Sequence, residues 1–404
     1  MSFTKIALPL LALGLGLGLG CGRAAAGGAR FHIGVCTGTV AQGEDDLRGA
    51  ERLIQEYGTV ARGGMIRHIT YPDDFMSQQE TLVTNLVSLA DDPRMKVIVA
   101  CQALPGVAEA FRRIRARRPD ILLLAGIPHE DPLVIQQAAD LVVDLDNVSR
   151  GYTIPWAAKQ MGAKALVHVS FPRHMSYETL ARRRAVMEAA CRDLGLRYGF
   201  ESAPDPTSDV GVAGAQQFIL EKTPQWLGKY GPHGERVALF STNDAQTEPL
   251  IRQVVASRNG VFVEADLPSP LLGYPGALGL DLSAQRGDFQ AILAQEERVL
   301  VARGAGGRLG TWPRSLGFCL TAGLGELGRR VVEGQARPTR SEDLRTCLGT
   351  FSLGADWKVS PYLDLGTGIR ARNELLVYMD TFVFGRGYLG TTRLAIPGRY
   401  FRIR

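Results

Sequence analysis

Short unbroken apolar runs alternate with longer stretches of helical periodicity, and this alternation constrains the fold more than any other feature of the sequence. The runs fall at 31–36, 65–70, 96–101, 121–125 and 141–145, and the helical stretches between them at 44–57, 77–90, 106–117 and 132–139. Strands rich in Val, Ile and Leu without polar alternation are buried on both faces, which requires a parallel sheet covered by helices on each side. After a helix at 154–161 the pattern restarts, with strands at 165–171, 196–201, 237–241 and 261–265 and helices at 177–194, 211–230 and 248–257. The fold class expected is therefore α/β, with two doubly wound parallel-sheet lobes around a cleft. The last third is less regular, with helices at 288–303 and 315–333, a crossing strand at 309–313 and strands at 374–380 and 381–384. The expected organisation is an N-terminal lobe over 31–147, a C-terminal lobe over 148–310, and crossover and tail segments over 311–404 that complete the lobes.

Ahead of the first lobe, one positive charge at Lys5 precedes an uncharged run of mostly Leu, Ala and Gly. The run is shorter than the about 20 residues that span a bilayer core, so residues 1–20 read as a secretory signal peptide and 21–30 as a tether. Two cleavage chemistries fit. Leu19-Gly20-Cys21 resembles a lipobox in which Cys21 is lipidated, and Ala24-Ala25-Ala26 suits ordinary signal peptidase. Formal charge falls from +5 to +4 with the signal removed, too small a bias for nucleic acid binding. The Arg clusters at 112–118 and 182–184 read as solvated helix faces. Cys36, Cys101, Cys191, Cys319 and Cys347 show no Cys-x-x-Cys spacing, so neither zinc nor a redox pair is expected.

In open α/β sheets the ligand crevice lies beyond the carboxyl ends of the strands. Residues following the strands, or lying at the lobe boundary, are therefore the candidate ligand-binding groups: Thr37, Thr39, Gln42, Gln102, His129, Asn147, Arg150, Tyr152, Arg173, His174, Asn243, Asp244 and Trp312. Taken singly, the Thr, Asn and Asp among them suit helix capping as well. Residues 146–152 read as the hinge. Arg150, Arg173, His129 and His174 suit an anionic or polar ligand, while Tyr152, Tyr274 and Trp312 suit stacking on a ring. Gly323-Leu324-Gly325-Glu326-Leu327-Gly328 matches a dinucleotide-binding fingerprint only literally, because no strand precedes it; close helix packing is the better reading. His129-Glu130-Asp131 reads as a polar rim, and no metal or other cofactor is expected. In a 2-1-3-4-5 strand order Cys36 and Cys101 end adjacent strands, which allows a disulfide, although two unpaired thiols fit equally simple packing.

Two consecutive α/β lobes behind such a leader resemble the type 1 periplasmic binding protein superfamily over nearly the whole chain. Within it, Asn147-Val148-Ser149-Arg150-Gly151-Tyr152, the segment from Val167 to Ser176 and the segment from Leu239 to Pro249 are similar to an uncharacterised family of bacterial lipoproteins. The resemblance implies an exported, lipid-anchored solute-binding protein of the cell envelope or periplasm that captures a small polar ligand for an ABC-type transporter permease or a sensor. It transfers no binding residue. It implies no enzyme, no cofactor and no nucleic acid partner. The second reading is an exported enzyme using the same cleft.

Overall fold

The computed structural model describes residues 28–285, 287–352 and 354–403; the leader and Cys21 lie outside them. In chain order the first half runs β1 (His32–Thr37), α1 (Val40–Tyr57), β2 (Ile66–Thr70), α2 (Gln79–Leu89), β3 (Met95–Ala103), α3 (Val107–Arg117), β4 (Leu122–Pro128), α4 (Pro132–Gln136), β5 (Leu141–Leu145), α5 (Asn147–Gln160) and β6 (Ala165–Ser170). It continues with α6 (Pro172–Met175), α7 (Glu178–Leu194), β7 (Arg197–Ser202), α8 (Gly211–Tyr230), β8 (Val237–Ser241), α9 (Thr247–Ala256), β9 (Gly260–Phe262), α10 (Tyr274–Leu278) and α11 (Phe289–Ala302). The final third comprises β10 (Gly310–Thr311), α12 (Leu316–Val332), α13 (Ser341–Phe351), β11 (Trp357–Leu363), β12 (Arg370–Met379), β13 (Phe382–Val383) and β14 (Gly387–Tyr388).

These elements form a seven-stranded sheet in the order β11-β12-β5-β4-β3-β1-β2 and a four-stranded sheet in the order β7-β6-β8-β9. All pairings are parallel except that of β11 with β12, a hairpin that closes one edge of the larger sheet. The larger sheet carries α2 and α3 on one face and α1, α12 and α13 on the other, so its central strands are dry on both sides. The smaller sheet is covered by α5 and α7 on one face and by α8, α9, α10 and α11 on the other. A short third sheet joins β10, β13 and β14.

The chain crosses between the lobes at Asp146, over Trp312–Ser315 and at Asp380 to Thr381, because α12, α13, β11 and β12 return to the larger sheet before the tail leaves it. Residues 146–152, read as the hinge, hold the first crossing and are helical from Asn147 onward. Asp146 caps α5 by accepting the Ser149 N–H at 2.8 Å, so the first crossing is the start of a helix.

Cys36 and Cys101 do not bond. Cys36 pairs in register with Ala100, so the period-two alternation of strands sends the Cys101 side chain to the opposite face of the sheet. All five cysteines among the described residues are buried thiols. The Arg182–Arg184 cluster also departs from expectation: Arg182 and Arg183 are buried at the lobe boundary rather than solvated.

The fingerprint-like glycines lie inside α12, where they let it settle between α1, α13 and the sheet. A Cβ on Gly325 would stand 2.3 Å from Leu53 Cδ1, and one on Gly328 would stand 2.4 Å from Val97 Cγ1. Val97 is a β-branched side chain of a central strand and has little freedom to yield. Gly328→Val is expected to destabilise the fold by about 2–3 kcal/mol through overpacking. Gly349→Ala on α13, where a Cβ meets nothing within 4 Å, should instead stabilise it by up to about 1 kcal/mol. Urea unfolding of both variants checks the contrast, and equal effects would contradict the packing argument.

Candidate functional site

The carboxyl ends of the two parallel sheets face each other across a crevice, and the side chains lining it are fixed by strand ends and helix starts. The larger lobe contributes Asp45 and Asp46 from the start of α1, Gln102 from the end of β3, His129 from just after β4 and Asp144 from β5. The smaller lobe contributes His174 from α6, Arg183 from α7, Thr242 and Asp244 from the turn after β8, and Asp266 beyond β9.

Gln102 links two of these groups, its Oε1 lying 2.9 Å from His129 Nε2 and its Nε2 donating to Asp46 Oδ2 at 3.4 Å. Across the gap, His174 Nδ1 lies 3.3 Å from Thr242 Oγ1, which is itself 2.6 Å from Ser170 Oγ. His129 retains solvent contact, yet desolvation between the lobes pushes its imidazole down to about 4, with His174 and Arg173 of the other lobe acting in the same direction. Burial likewise lowers His174, so both rings are neutral at pH 7.

The carboxylates shift the opposite way. Burial, then Asp266, and then Asp45 from the facing lobe push Asp244 up to about 8. Burial and the neighbouring Asp45 push Asp46 up to about 7, and burial with Asp266 nearby pushes Asp144 up to about 7. Asp45 is raised by burial, against hydrogen bonds from Ser315 and Ser269. Near neutrality these groups share protons and offer hydrogen-bond donors as well as acceptors.

The local cations are committed to the protein. Arg173 forms a fork on Asp205 at 2.7 and 2.9 Å. Arg183 donates to Asn147 Oδ1 at 2.7 Å and brings Nη2 within 2.5 Å of Asp266 Oδ1, an ion pair whose line is poor for a hydrogen bond. Arg150 donates to Glu264 Oε1 and to the carbonyls of Ala265 and Asp266, all at 2.8 Å.

Of the residues expected in the site, the structure brings Gln102, His129, His174 and Asp244 together, with Arg173 beside them. Thr39 and Gln42 lie at the outer rim, donating to Asp73 Oδ1 at 2.5 Å and to its carbonyl at 3.0 Å. Thr37 is buried against Gly38 and His68, and Asn243 caps the turn after β8 through the Ala245 N–H. Four expectations are corrected. Arg150 and Trp312 are buried in the hinge, where Trp312 Nε1 donates to Glu264 Oε2 at 3.1 Å. Tyr152 packs its ring 4.9 Å from Tyr400 of the tail, and Tyr274 is buried with its hydroxyl on the Gly310 carbonyl at 2.6 Å. None of the four presents a face to a ligand. Asp46, Asp144, Asp266 and Arg183 were not singled out, although the charge of Asp144 within an apolar strand run was a visible signal.

The profile of a family described as "Protein of unknown function (DUF3798)" matches residues 31–310, and a second family profile matches 321–403. Two relatives from Treponema pallidum (strain Nichols), each described as an uncharacterized protein, show the same kinship. One is 42% identical over 224 residues, covering 55% of this chain and 100% of the relative; the other is 51% identical over 178 residues, covering 44% and 80%. Among solved structures, a chain from Clostridium difficile 630 with a provisional description as a transcriptional regulator superposes with a TM-score of 0.74 at 20% identity, covering 88% of this chain and 99% of its own. A sugar ABC transporter structure from Actinomyces odontolyticus ATCC 17982 superposes with a TM-score of 0.53 at 11% identity, covering 91% and 98%. At such identities the likeness establishes the fold, which is that of type 1 periplasmic binding proteins.

Two outcomes follow from the geometry. Arg150→Ala strands the Glu264 carboxylate in a dry hinge, so it should cost about 3–5 kcal/mol in urea unfolding, whereas Arg150→Met with Glu264→Gln should recover much of the loss. If Arg150→Ala unfolds like the wild type, the hinge role is wrong. The second outcome concerns pH. A carboxylate ordinarily near about 3.9 that rises to about 7 or 8 on folding binds its proton more tightly when folded, so stability falls as pH rises through that window. The lowered histidines oppose this only below their ordinary value of about 6.5. The unfolding midpoint should therefore drop between about pH 6.5 and pH 8.5, and Asp244→Asn should flatten the drop. A flat wild-type profile would remove the proton sharing.

Proposed function

The chain belongs to the DUF3798 family, and we propose that it is an exported solute-binding protein that captures a small, neutral, hydroxyl-rich molecule in the crevice between its lobes. One observation carries this reading: His129 of one lobe lies within electrostatic reach of His174, Arg173 and Asp266 of the other, so polar and charged groups of both lobes face the same crevice. A ligand seated there touches both lobes and favours the closed arrangement by its contacts to each.

The class of ligand follows from the charge state. The expectation of an anionic or polar ligand rested on Arg150, Arg173, His129 and His174, and of these the two arginines are held by protein carboxylates. The groups left to meet a ligand are Gln102, two neutral imidazoles and carboxyls that share protons, which together suit alternating donors and acceptors of a polyol or sugar. The sugar ABC transporter description of the Actinomyces neighbour supports the same class. The closed form would then be presented to an ABC-type permease or a sensor, with Cys21 as the lipid attachment. Among the described residues no helix is long and apolar enough to cross a membrane.

Thermal unfolding of the chain lacking residues 1–30 against sugars, nucleosides, amino acids, peptides and organic anions tests the proposal. Ligand at 100 times its dissociation constant adds about 2.7 kcal/mol of stability. A sugar or polyol is expected to raise the midpoint without being consumed, and Asp244→Ala with His129→Ala should abolish the shift. If only organic anions act, the ligand class is wrong. A shift from none of the panel would sink the small-solute reading.

A further inference from the structure

A second cavity, of about 380 Å³, lies between the lobes near the closed edge of the larger sheet. Its walls are the start of α4 with Asp131 and Leu133, the first turns of α7 with Glu178 and Arg182, and the β11–β12 hairpin with Tyr362 and Asp364. The volume falls in the range of sites for small organic molecules. None of these residues belongs to the crevice already described.

The charges of this cavity are unbalanced. Three carboxylates, Asp131, Glu178 and Asp364, line it with a single cation, Arg182, whose Nη1 is spent on Glu178 Oε1 at 3.1 Å and on the Leu363 carbonyl at 3.3 Å. The Thr367 hydroxyl and the Gly366 N–H hold Asp364 below the usual carboxylate range, so it is ionised at neutral pH. Behind the wall lies Glu374 of β12, fully buried, with Asp144, Glu178 and Asp131 as its charged neighbours.

Two buried groups here lack partners. Glu374 Oε2 accepts from Gln136 Nε2 at 2.5 Å while its Oε1 meets no donor, and Arg182, only 4% exposed, leaves its Nε unpaired. A buried polar atom without a partner costs about 1–3 kcal/mol; of these two, Arg182 lines the cavity, and Glu374 stands on the other lobe within electrostatic reach of its carboxylates Glu178 and Asp131. The apolar surfaces of Leu133, Ala181 and Leu365 beside the carboxylates suit a molecule with a hydrocarbon body as well as a charge.

We propose that this cavity is a second ligand site, taking an organic cation whose ammonium or guanidinium group meets Glu178 and Asp364 while its apolar body rests on Leu133 and Tyr362. Because α7 belongs to one lobe and α4 and the hairpin to the other, the occupant ties the lobes together independently of whatever fills the crevice. A small parting of the same walls exposes Glu374 Oε1 to the ligand's remaining donors.

Calorimetric titration of the chain lacking residues 1–30 with three probes of one shape tests this: phenethylammonium, 2-phenylethanol and phenylacetate. The expected result is that the ammonium binds at least tenfold more tightly than the alcohol, that the carboxylate does not bind, and that Glu178→Gln and Asp364→Asn each weaken the ammonium about tenfold. Both substituted residues are at the surface, so these variants are expected to fold; Glu374→Gln is tested alongside them and should weaken binding as well. Equal binding of ammonium and alcohol would overturn the proposal. So would unchanged affinity in both surface variants, or failure of phenethylammonium to bind more tightly than millimolar. Failure here leaves the crevice reading intact, because the sugar-dependent shift reports on different residues.

Discussion

The Glu264 carboxylate is the point on which the relation of the two lobes depends. It is almost fully buried, and its oxygens receive Arg150 Nε from the first crossing, Trp312 Nε1 from the second and Thr381 Oγ1 from the third. A carboxylate so desolvated would be strongly unfavourable without a counter-charge, and Arg150 is the only cation in contact with it among the described residues. The remaining N–H groups of Arg150 hold the carbonyls of Ala265 and Asp266, so the ion pair also sets the chain that leads Asp266 into the crevice. Interactions of this kind are weak evidence for stability as such, because desolvation offsets much of the attraction. Their value here is geometric: three separate crossings of the chain are referred to one atom group.

The crevice inherits its chemistry from that arrangement. With Arg150, Arg173 and Arg183 all facing other protein carboxylates, Asp46, Asp144 and Asp244 make no ion pair among the described residues, and burial raises their affinity for protons. It is the facing of Asp45 and Asp244 from opposite sides that joins the charge state to lobe closure. A closed crevice with protonated carboxyls and neutral imidazoles is a field of hydrogen bonds of both senses rather than a charged trap.

What was legible in the sequence divides along the same physical line. The runs at 96–101 and 141–145 announced buried parallel strands because continuous apolar composition leaves few alternatives, and the strand ends then pointed to Gln102, His129, His174 and Asp244. Arg150 and Trp312 were assigned to ligand because their partner, Glu264, lies 114 residues along the chain from Arg150, and pairing over that distance leaves no local pattern. Tyr152 was misplaced for the same reason, since its neighbour Tyr400 belongs to the tail. The Cys36–Cys101 pair stays open in the sequence between a disulfide and two unpaired thiols, because adjacency of strands is legible but register, on which the facing of each side chain depends, is not; the thiols are unpaired. Nothing was expected over 341–363, where α13 and β11 complete one face and one edge of the larger sheet.

That unexpected edge is what separates the second cavity from the first. In the crevice burial pushes Asp46 and Asp144 up to about 7 and Asp244 up to about 8, so near pH 7 these carboxyls are only partly ionised. At the β11–β12 hairpin, Asp364 is held ionised by a hydroxyl and a backbone N–H, and Glu178 stands at the surface in an ion pair with Arg182. Carboxylate side chains dominate both spaces, yet burial makes one a hydrogen-bonding surface and exposure makes the other an anionic one. On the two proposals together, ligands of different charge would be sorted on one molecule by the depth at which the same functional group is set.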